Sequence, residues 1–333
     1  MGIAAVTGAS GHLGGNLVRA LLKEGKQVRV LVRNDRRAVE GLDVQIVEGD
    51  VLDRPRLAEL IKGAETVFHL AAKISIAGEN EDIVKGINIQ GTANVVDTCL
   101  GCGVNRMVHV SSIQAFSTYP MDEAVSELRE LISGDHQMIY DRTKAEGQRV
   151  VLRGVEKGLD AVIVNPSAII GPNDFKISRL GEVLLDIYHG RLPLLIDGGF
   201  DWVDVRDAAD GTLAAGKLGR RGESYILSGH WVHLKELAAM ITEITGVKTP
   251  GGAIPLWMAS VAAGFNLAAG KIIGKTPKFT PEAIKSIRTH RYISHQKATD
   301  ELGYNPRPFK ETIRDSFQWF REAGLLEQVL PNV

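Results

Sequence analysis

Tyr140 and Lys144 stand four residues apart in Tyr140-Asp141-Arg142-Thr143-Lys144, a spacing that puts both on one face of a helix. Free tyrosine ionises at about pH 10 and is a poor base at neutral pH. An ammonium one turn away stabilises the phenolate and brings that value down. Such a tyrosine can protonate a developing alkoxide, or take the proton from an alcohol in the reverse direction. The pair alone is weak, because any helical tyrosine can have a lysine at that spacing. Ser111-Ser112 adds to it: the two serines follow the β-rich run 107–110, where a hydroxyl can donate to a substrate oxygen. A serine pair after a strand is otherwise an ordinary turn or cap.

A second constellation opens the chain. Thr7-Gly8-Ala9-Ser10-Gly11-His12-Leu13-Gly14 follows a strand-like run and leads into a helix. Glycine there lets the backbone turn tightly and approach a pyrophosphate, and the helix N-terminus beyond it presents free N–H groups to phosphate. The next strand ends at Arg33, with Asn34, Asp35, Arg36 and Arg37 after it. A carboxylate at the end of that strand would hold a ribose 2′-OH, whereas a guanidinium pairs with a 2′-phosphate. NADP(H) is therefore the preferred cofactor, with NAD(H) left open by Asp35. Asp50 follows the third strand and could accept from an adenine amino group. Asp53, before Arg54-Pro55, suits a helix N-cap.

The elements that must hold these groups alternate. Strand patterns at 2–7, 27–32, 44–47, 66–70, 106–110 and 161–164 are separated by helical patterns ending at about 23, at 54–61, 81–99 and 140–157. Buried β-branched strands between helices predict an α/β, doubly wound parallel-sheet Rossmann fold, with its ligand at the carboxyl ends of the strands. After about residue 165 helices dominate, with short strands near 194–196 and 224–227. The expected organisation is a dinucleotide-binding domain at 1–165, to which the chain crosses back near 200–230, and a smaller, mostly helical substrate lobe at 166–333.

The order Thr7-Gly8-x-x-Gly11-x-x-Gly14, Asp50, His69-Leu70-Ala71-Ala72, Asn88, Ser111-Ser112 and Tyr140-x-x-x-Lys144 resembles extended short-chain dehydrogenases/reductases of the NAD-dependent epimerase/dehydratase superfamily. Within them it is most similar to the dihydroflavonol-4-reductase-like group. Val28 to Arg33 resembles that group's second strand, Asn165-Pro166-Ser167-Ala168-Ile169-Ile170-Gly171-Pro172 its segment beside the nicotinamide, and Trp202-Val203-Asp204-Val205-Arg206-Asp207 its paired-acid segment. The tail Leu302-Gly303-Tyr304-x-Pro306-Arg307 is similar too, so the resemblance spans nearly the whole chain. It implies Ser112, Tyr140 and Lys144 as catalytic residues. It implies cofactor contacts from Thr7, Gly8, Ser10, Gly11, His12, Leu13, Gly14, Arg33, Asp50, Val51, Leu70, Ala71, Ala72, Tyr140, Lys144, Pro166 and Ser167. Lys73, Ile74, Gln114, Phe175 and Trp202 are the candidate substrate contacts. The loop 117–139 has no counterpart that names a substrate, so a flavonoid is not implied.

Three functions compete. An NADPH-dependent reductase of a ketone or aldehyde leads. A hydroxysteroid-type dehydrogenase is related to it, and the uncharged stretch 253–270 would suit a greasy substrate. A sugar-nucleotide epimerase or dehydratase would recycle bound NAD, and Arg33 argues against it. A non-enzymatic dinucleotide sensor would have lost the Tyr–Lys pair. The partner is thus a small carbonyl or alcohol, with a homodimer left open. A formal charge of -1 over 333 residues shows no basic excess for nucleic acid. The stretch 253–270 carries Pro255, Gly264 and Asn266 and is read as a buried helix rather than a membrane contact. No charged n-region precedes residues 3–6, and two cysteines fit a reducing cytosol, so a cytoplasmic location is expected. Cys99 and Cys102 read as buried structural thiols. His69 and His109 read as packed strand residues, and the nine histidines make no metal-binding pattern.

Overall fold

The computed structural model describes residues 2–75, 80–134, 137–192, 194–255, 258 and 291–326. The β-branched runs form β1 (Ile3–Thr7), β2 (Gln27–Val32), β3 (Val44–Glu48), β4 (Ala64–His69), β5 (Arg106–Val110) and β6 (Ala161–Pro166). Shorter strands follow: β7 (Ala168–Ile170), β8 (Leu195–Ile196), β9 (Gly199–Asp204), β10 (Ser224–Leu227), β11 (His230–His233) and β12 (Ala253–Ile254). Seven of them pair in parallel in the order β10-β6-β5-β4-β1-β2-β3. Every residue of β6 is buried, as a strand covered on both faces must be. The strand order reverses beside β1, which puts a crevice at the carboxyl ends of β1 and β4. This is the doubly wound fold.

Helices cover both faces. Those bearing on the site are α1 (His12–Lys23), α2 (Arg54–Ile61), α3 (Glu81–Lys85), α4 (Gly91–Cys102), α5 (Ile139–Glu156), α6 (Arg179–Tyr188) and α7 (Val205–Leu218). One core lies under α1 and α7 and includes Leu17, Phe68, Val108 and Tyr225. The opposite face buries Leu57, Val95, Met107 and Val151. A third core gathers around β7, β9 and β11, with Trp202, Leu237, Phe317 and Phe320 at its centre. It is completed by α8 (Leu234–Thr245) and, after α9 (Gln296–Leu302), by α10 (Phe309–Glu322).

Two local expectations change. The continuous helix read at 81–99 is α3, then a π-helical turn at Gly86–Gln90, then α4, which runs on to Cys102 and is capped by Gly103 at φ 63°. The extra residue of a π turn re-aims side chains, and Asn88, within it, points into the protein. Of the two thiols only Cys99 is buried; Cys102 is exposed, on the solvent side of the last turn. The loop after β5 is pinned beside the sheet. Glu127 accepts from the Ile226 N–H of β10 at 2.7 Å, and Arg129 donates to the carbonyls of Pro120, Glu123 and Ala124. Most of the stretch 253–270 lies outside the described residues. Among those described, no helix is long and apolar enough to cross a membrane.

Candidate active site

The glycine loop takes its shape from close backbone packing. Gly8 has φ +75°, and a Cβ there would stand 2.6 Å from the Ala71 nitrogen; only glycine tolerates both. The helix that follows is left open for a ligand. Its N-cap, Gly11, offers no side chain to the first-turn N–H groups, and no acidic residue stands in that turn. By contrast Asp53 caps α2, as expected of it, Ser178 caps α6 and Asp204 caps α7. Free N–H groups at a helix start form an anion site, so this loop fits a dinucleotide diphosphate.

A buried chain of polar groups stiffens the crevice floor. Thr92 Oγ1 donates to the Asn88 carbonyl at 2.7 Å. His69 Nε2 therefore carries the proton it gives Thr92 Oγ1, over 3.0 Å. Its Nδ1 is then free to accept from Thr7 Oγ1 at 2.7 Å. Burial pushes the His69 imidazole down to about 3, so it stays neutral. Asn88 holds the segment after β4 to α5: its side-chain Oδ1 accepts from Lys73 N at 2.7 Å and its Nδ2 donates to Thr143 Oγ1 at 2.9 Å.

A cleft of about 520 Å³ runs over this floor. Gly8, Ser10, Gly11, Arg33, Asp50, Val51, Leu70, Ala71, Ala72 and Lys73 line it, together with Asn34, Asp35 and Lys176. Arg33 stands 3.5 Å from Asp50 Oδ2 at the cleft's outer end, and Asp50 Oδ1 also accepts from Leu52 N. Leu13 and Gly14 are buried in the first turns of α1. His12 is not among the lining residues, and its Nε2 donates to the Pro172 carbonyl at 3.0 Å. Pro166 ends β6 and Ser167 follows it, its N–H donating to the Leu227 carbonyl of β10 at 3.2 Å.

Ser112, Tyr140 and Lys144 are not among the residues that line this cleft; they are held where the end of β5 meets the start of α5, with Tyr140 bonded to Ser112. Ser112 ends the strand connection as the N-cap of a short 3-10 turn at Ile113–Ala115, its Oγ accepting from Gln114 N at 3.2 Å. Asn165 Nδ2 donates to the Ser112 backbone carbonyl at 3.0 Å and holds the main chain there. Lys144 is 5% exposed and donates to the Val110 carbonyl at 2.8 Å. Burial lowers its ammonium to about 8. The Tyr140 phenol behaves otherwise than its spacing from Lys144 suggests. Burial raises it to about 12, the Ser112 hydrogen bond opposes the rise, and the Asp141 carboxylate adds to it. Desolvation dominates, and the Lys144 ammonium is turned to a carbonyl.

Asp141 had no role in the sequence, and nothing in its spacing marks it. It is 6% exposed, its Oδ1 has no hydrogen-bond partner among the described residues, and burial lifts its carboxyl to about 7. Between its unfolded value of about 3.9 and its folded one, the native chain holds a proton that the unfolded chain has released. Stability therefore falls as pH rises from about 4 to 7, and the loss is complete above that. Asp141→Asn should melt together with the wild type near pH 4 and several degrees higher at pH 8, a gain of up to about 4 kcal/mol. Equal shifts at both pH values in a thermal melt would refute this.

One candidate substrate contact is corrected. Trp202 is 1% exposed, donates to the Val232 carbonyl at 3.2 Å and packs on Phe200; it is a core residue. Phe175 is half-buried against α1, with the Arg19 guanidinium over its ring and Trp319 at 5.5 Å, and it stays a candidate. Ile74 is exposed beyond β4, and Gln114 is half-buried next to Ser112.

A sequence model of the NAD dependent epimerase/dehydratase family matches residues 4–228. The chain is 34% identical over 325 residues to the sterol demethylase protein B of Methylococcus capsulatus, covering 96% of this chain and 99% of that protein. It is 31% identical over 332 residues to a putative dihydroflavonol 4-reductase of Synechocystis, covering 97% and 95%. Among solved structures, that of gox2253 superposes with a TM-score of 0.86 at 32% identity, over 98% of this chain and 100% of that one.

Proposed function

The chain belongs to the NAD dependent epimerase/dehydratase family, and from that membership we propose that it is an NADPH-dependent reductase of a ketone or aldehyde. The observation that carries this reading is the Tyr140 hydroxyl. Bonded to Ser112 on the helix that also carries Lys144, it can give a proton to an alkoxide forming on a carbonyl that Ser112 orients.

The nicotinamide cofactor supplies the hydride. The loop from Gly8 to Gly14 and the open start of α1 would hold its diphosphate. Arg33 would meet its 2′-phosphate, and Asp50 its adenine side. The Lys144 ammonium, buried behind Tyr140, would hold the nicotinamide ribose, with Pro166 and Ser167 alongside. Ser112 would donate to the substrate oxygen and orient it. Tyr140 would then deliver its Oη proton to the alkoxide as it forms. Lys73, Ile74, Gln114 and Phe175 remain the candidate substrate contacts.

Titration of the wild type with NADPH and with NADH, followed by cofactor fluorescence, tests the cofactor. Tighter NADPH binding is expected, and Arg33→Asp should reverse the order, since a guanidinium–phosphate contact becomes a repulsion. Equal affinity, or NAD that stays bound through purification, would refute the reading and favour an epimerase that recycles its cofactor. A hydroxysteroid-type dehydrogenase is the second reading, supported by the sterol demethylase relative. Turnover of 3-hydroxysterols, with no reduction of simple aldehydes or ketones, would favour it.

A further inference from the structure

Arg33 does not by itself make the outer end of the cleft positive. Three cations follow β2, and each faces an acid. Arg33 stands beside Asp50, Arg36 is paired with Glu48, and Arg37 grips Asp35 in a two-pronged contact at 2.7 and 2.9 Å. This group is electrically balanced. A 2′-phosphate carries about two negative charges, and Arg33, shared with Asp50, offsets only part of them.

The uncompensated charge comes from elsewhere in the chain. Lys176 lines the same cleft as Arg33, Asn34 and Asp35, is exposed, and among the described residues has no acid in ion-pair contact. It belongs to a segment, 172–178, that joins β7 to α6 and is strapped to α1. The Pro172 carbonyl accepts from His12 Nε2 at 3.0 Å and from Asn16 Nδ2 at 3.3 Å. Asn173, in the left-handed region at φ 63°, donates to Asn16 Oδ1 at 3.0 Å. Asp174 is buried and accepts from Ser178 N at 2.8 Å, closing the turn. Phe175 lies under Arg19. The strap is therefore held at both ends and along its length, and its lysine is set on the cleft rim by structure rather than by chance exposure. Lys176 also bears on Asp35 from across the cleft.

The geometry points to Lys176 as the second cation of a 2′-phosphate subsite, carried to the cleft rim by the 172–178 strap and completing what Arg33 begins. This rests on the NADP(H) reading above. It explains why His12 matters although it does not line the cleft: with Asn16 it anchors the strap. It also makes cofactor choice a property of two distant segments.

The test is the binding of NADPH and NADH, by cofactor fluorescence, to wild type, Lys176→Ala and Lys176→Arg. Because Lys176 is exposed, none of these changes disturbs the core. The expected result is a loss of about tenfold in NADPH affinity for Lys176→Ala, NADH affinity unchanged within about twofold, and full recovery in Lys176→Arg. An equal loss for both cofactors would place Lys176 on the diphosphate and overturn the inference. So would no loss for either in a protein that prefers NADPH, which would leave the NADP(H) reading standing. A wild type with no preference for NADPH would remove that reading and this inference with it.

Discussion

Tyr140→Phe should lower turnover by about a thousandfold while NADPH binds within about twofold of the wild type. The ring stays in its packing and only the hydroxyl is lost, with its bond to Ser112. A proton donor held in place is worth roughly two to four orders of magnitude, so the loss should appear in kcat. Steady-state oxidation of NADPH, with a substrate from a panel of aldehydes, ketones and 3-oxosterols, measures it. Turnover retained within tenfold would mean that water or another group supplies the proton, and the proposed mechanism would fall. A companion change gives a direction as well. Because the Asp141 carboxylate raises the Tyr140 phenol, Asp141→Asn should move any alkaline limb of the rate profile to lower pH.

Gly14→Ala should cost both stability and cofactor. A Cβ at residue 14 would stand 2.1 Å from the Gly8 oxygen, 2.8 Å from its carbonyl carbon and 2.9 Å from Ala9 Cα. All three are backbone atoms that cannot rotate aside, so α1 must back away from β1. Overpacking of this kind costs about 1–3 kcal/mol, and the displaced helix no longer aims its N–H groups at the diphosphate. NADPH and NADH affinity should each fall about a hundredfold or more, with a lower melting temperature. Gly11→Ala is the contrast. Its Cβ would meet only the Gly8 oxygen, at 3.2 Å, so the fold should persist while the methyl crowds the approach of a phosphate. If the two variants behaved alike, in melting and in binding, the separate roles of the two glycines would be wrong.

Much of the site was readable without coordinates because its chemistry is tied to local spacing. A glycine loop between a strand and a helix, a serine at a strand end and a tyrosine four residues before a lysine each depend on near neighbours. Their order along the chain then follows from the parallel sheet, which brings successive strand ends to one edge. The same locality made Asp53 legible as a cap, since an N-cap bonds a nitrogen only a few residues on.

Other features answer to packing between distant segments. Whether Trp202 walls a cleft or fills a core depends on β11 and α10 closing over it. The Phe175 ring packs against Arg19 and Trp319, which lie 156 and 144 positions away in the chain. Asp141 is set within the protein by the docking of α5, and no pattern in its neighbours distinguishes it from a solvated acid. The Tyr140 phenol illustrates the division most sharply. Sequence determined that a lysine would lie one turn along the helix. The folded structure decided that this ammonium turns to the Val110 carbonyl and that the phenol is desolvated, and so raised its ionisation instead of lowering it. The reason is general: residue type and spacing determine which groups share a helix face or a strand end, whereas dielectric surroundings and the partner a charge selects are set by every element packed around it.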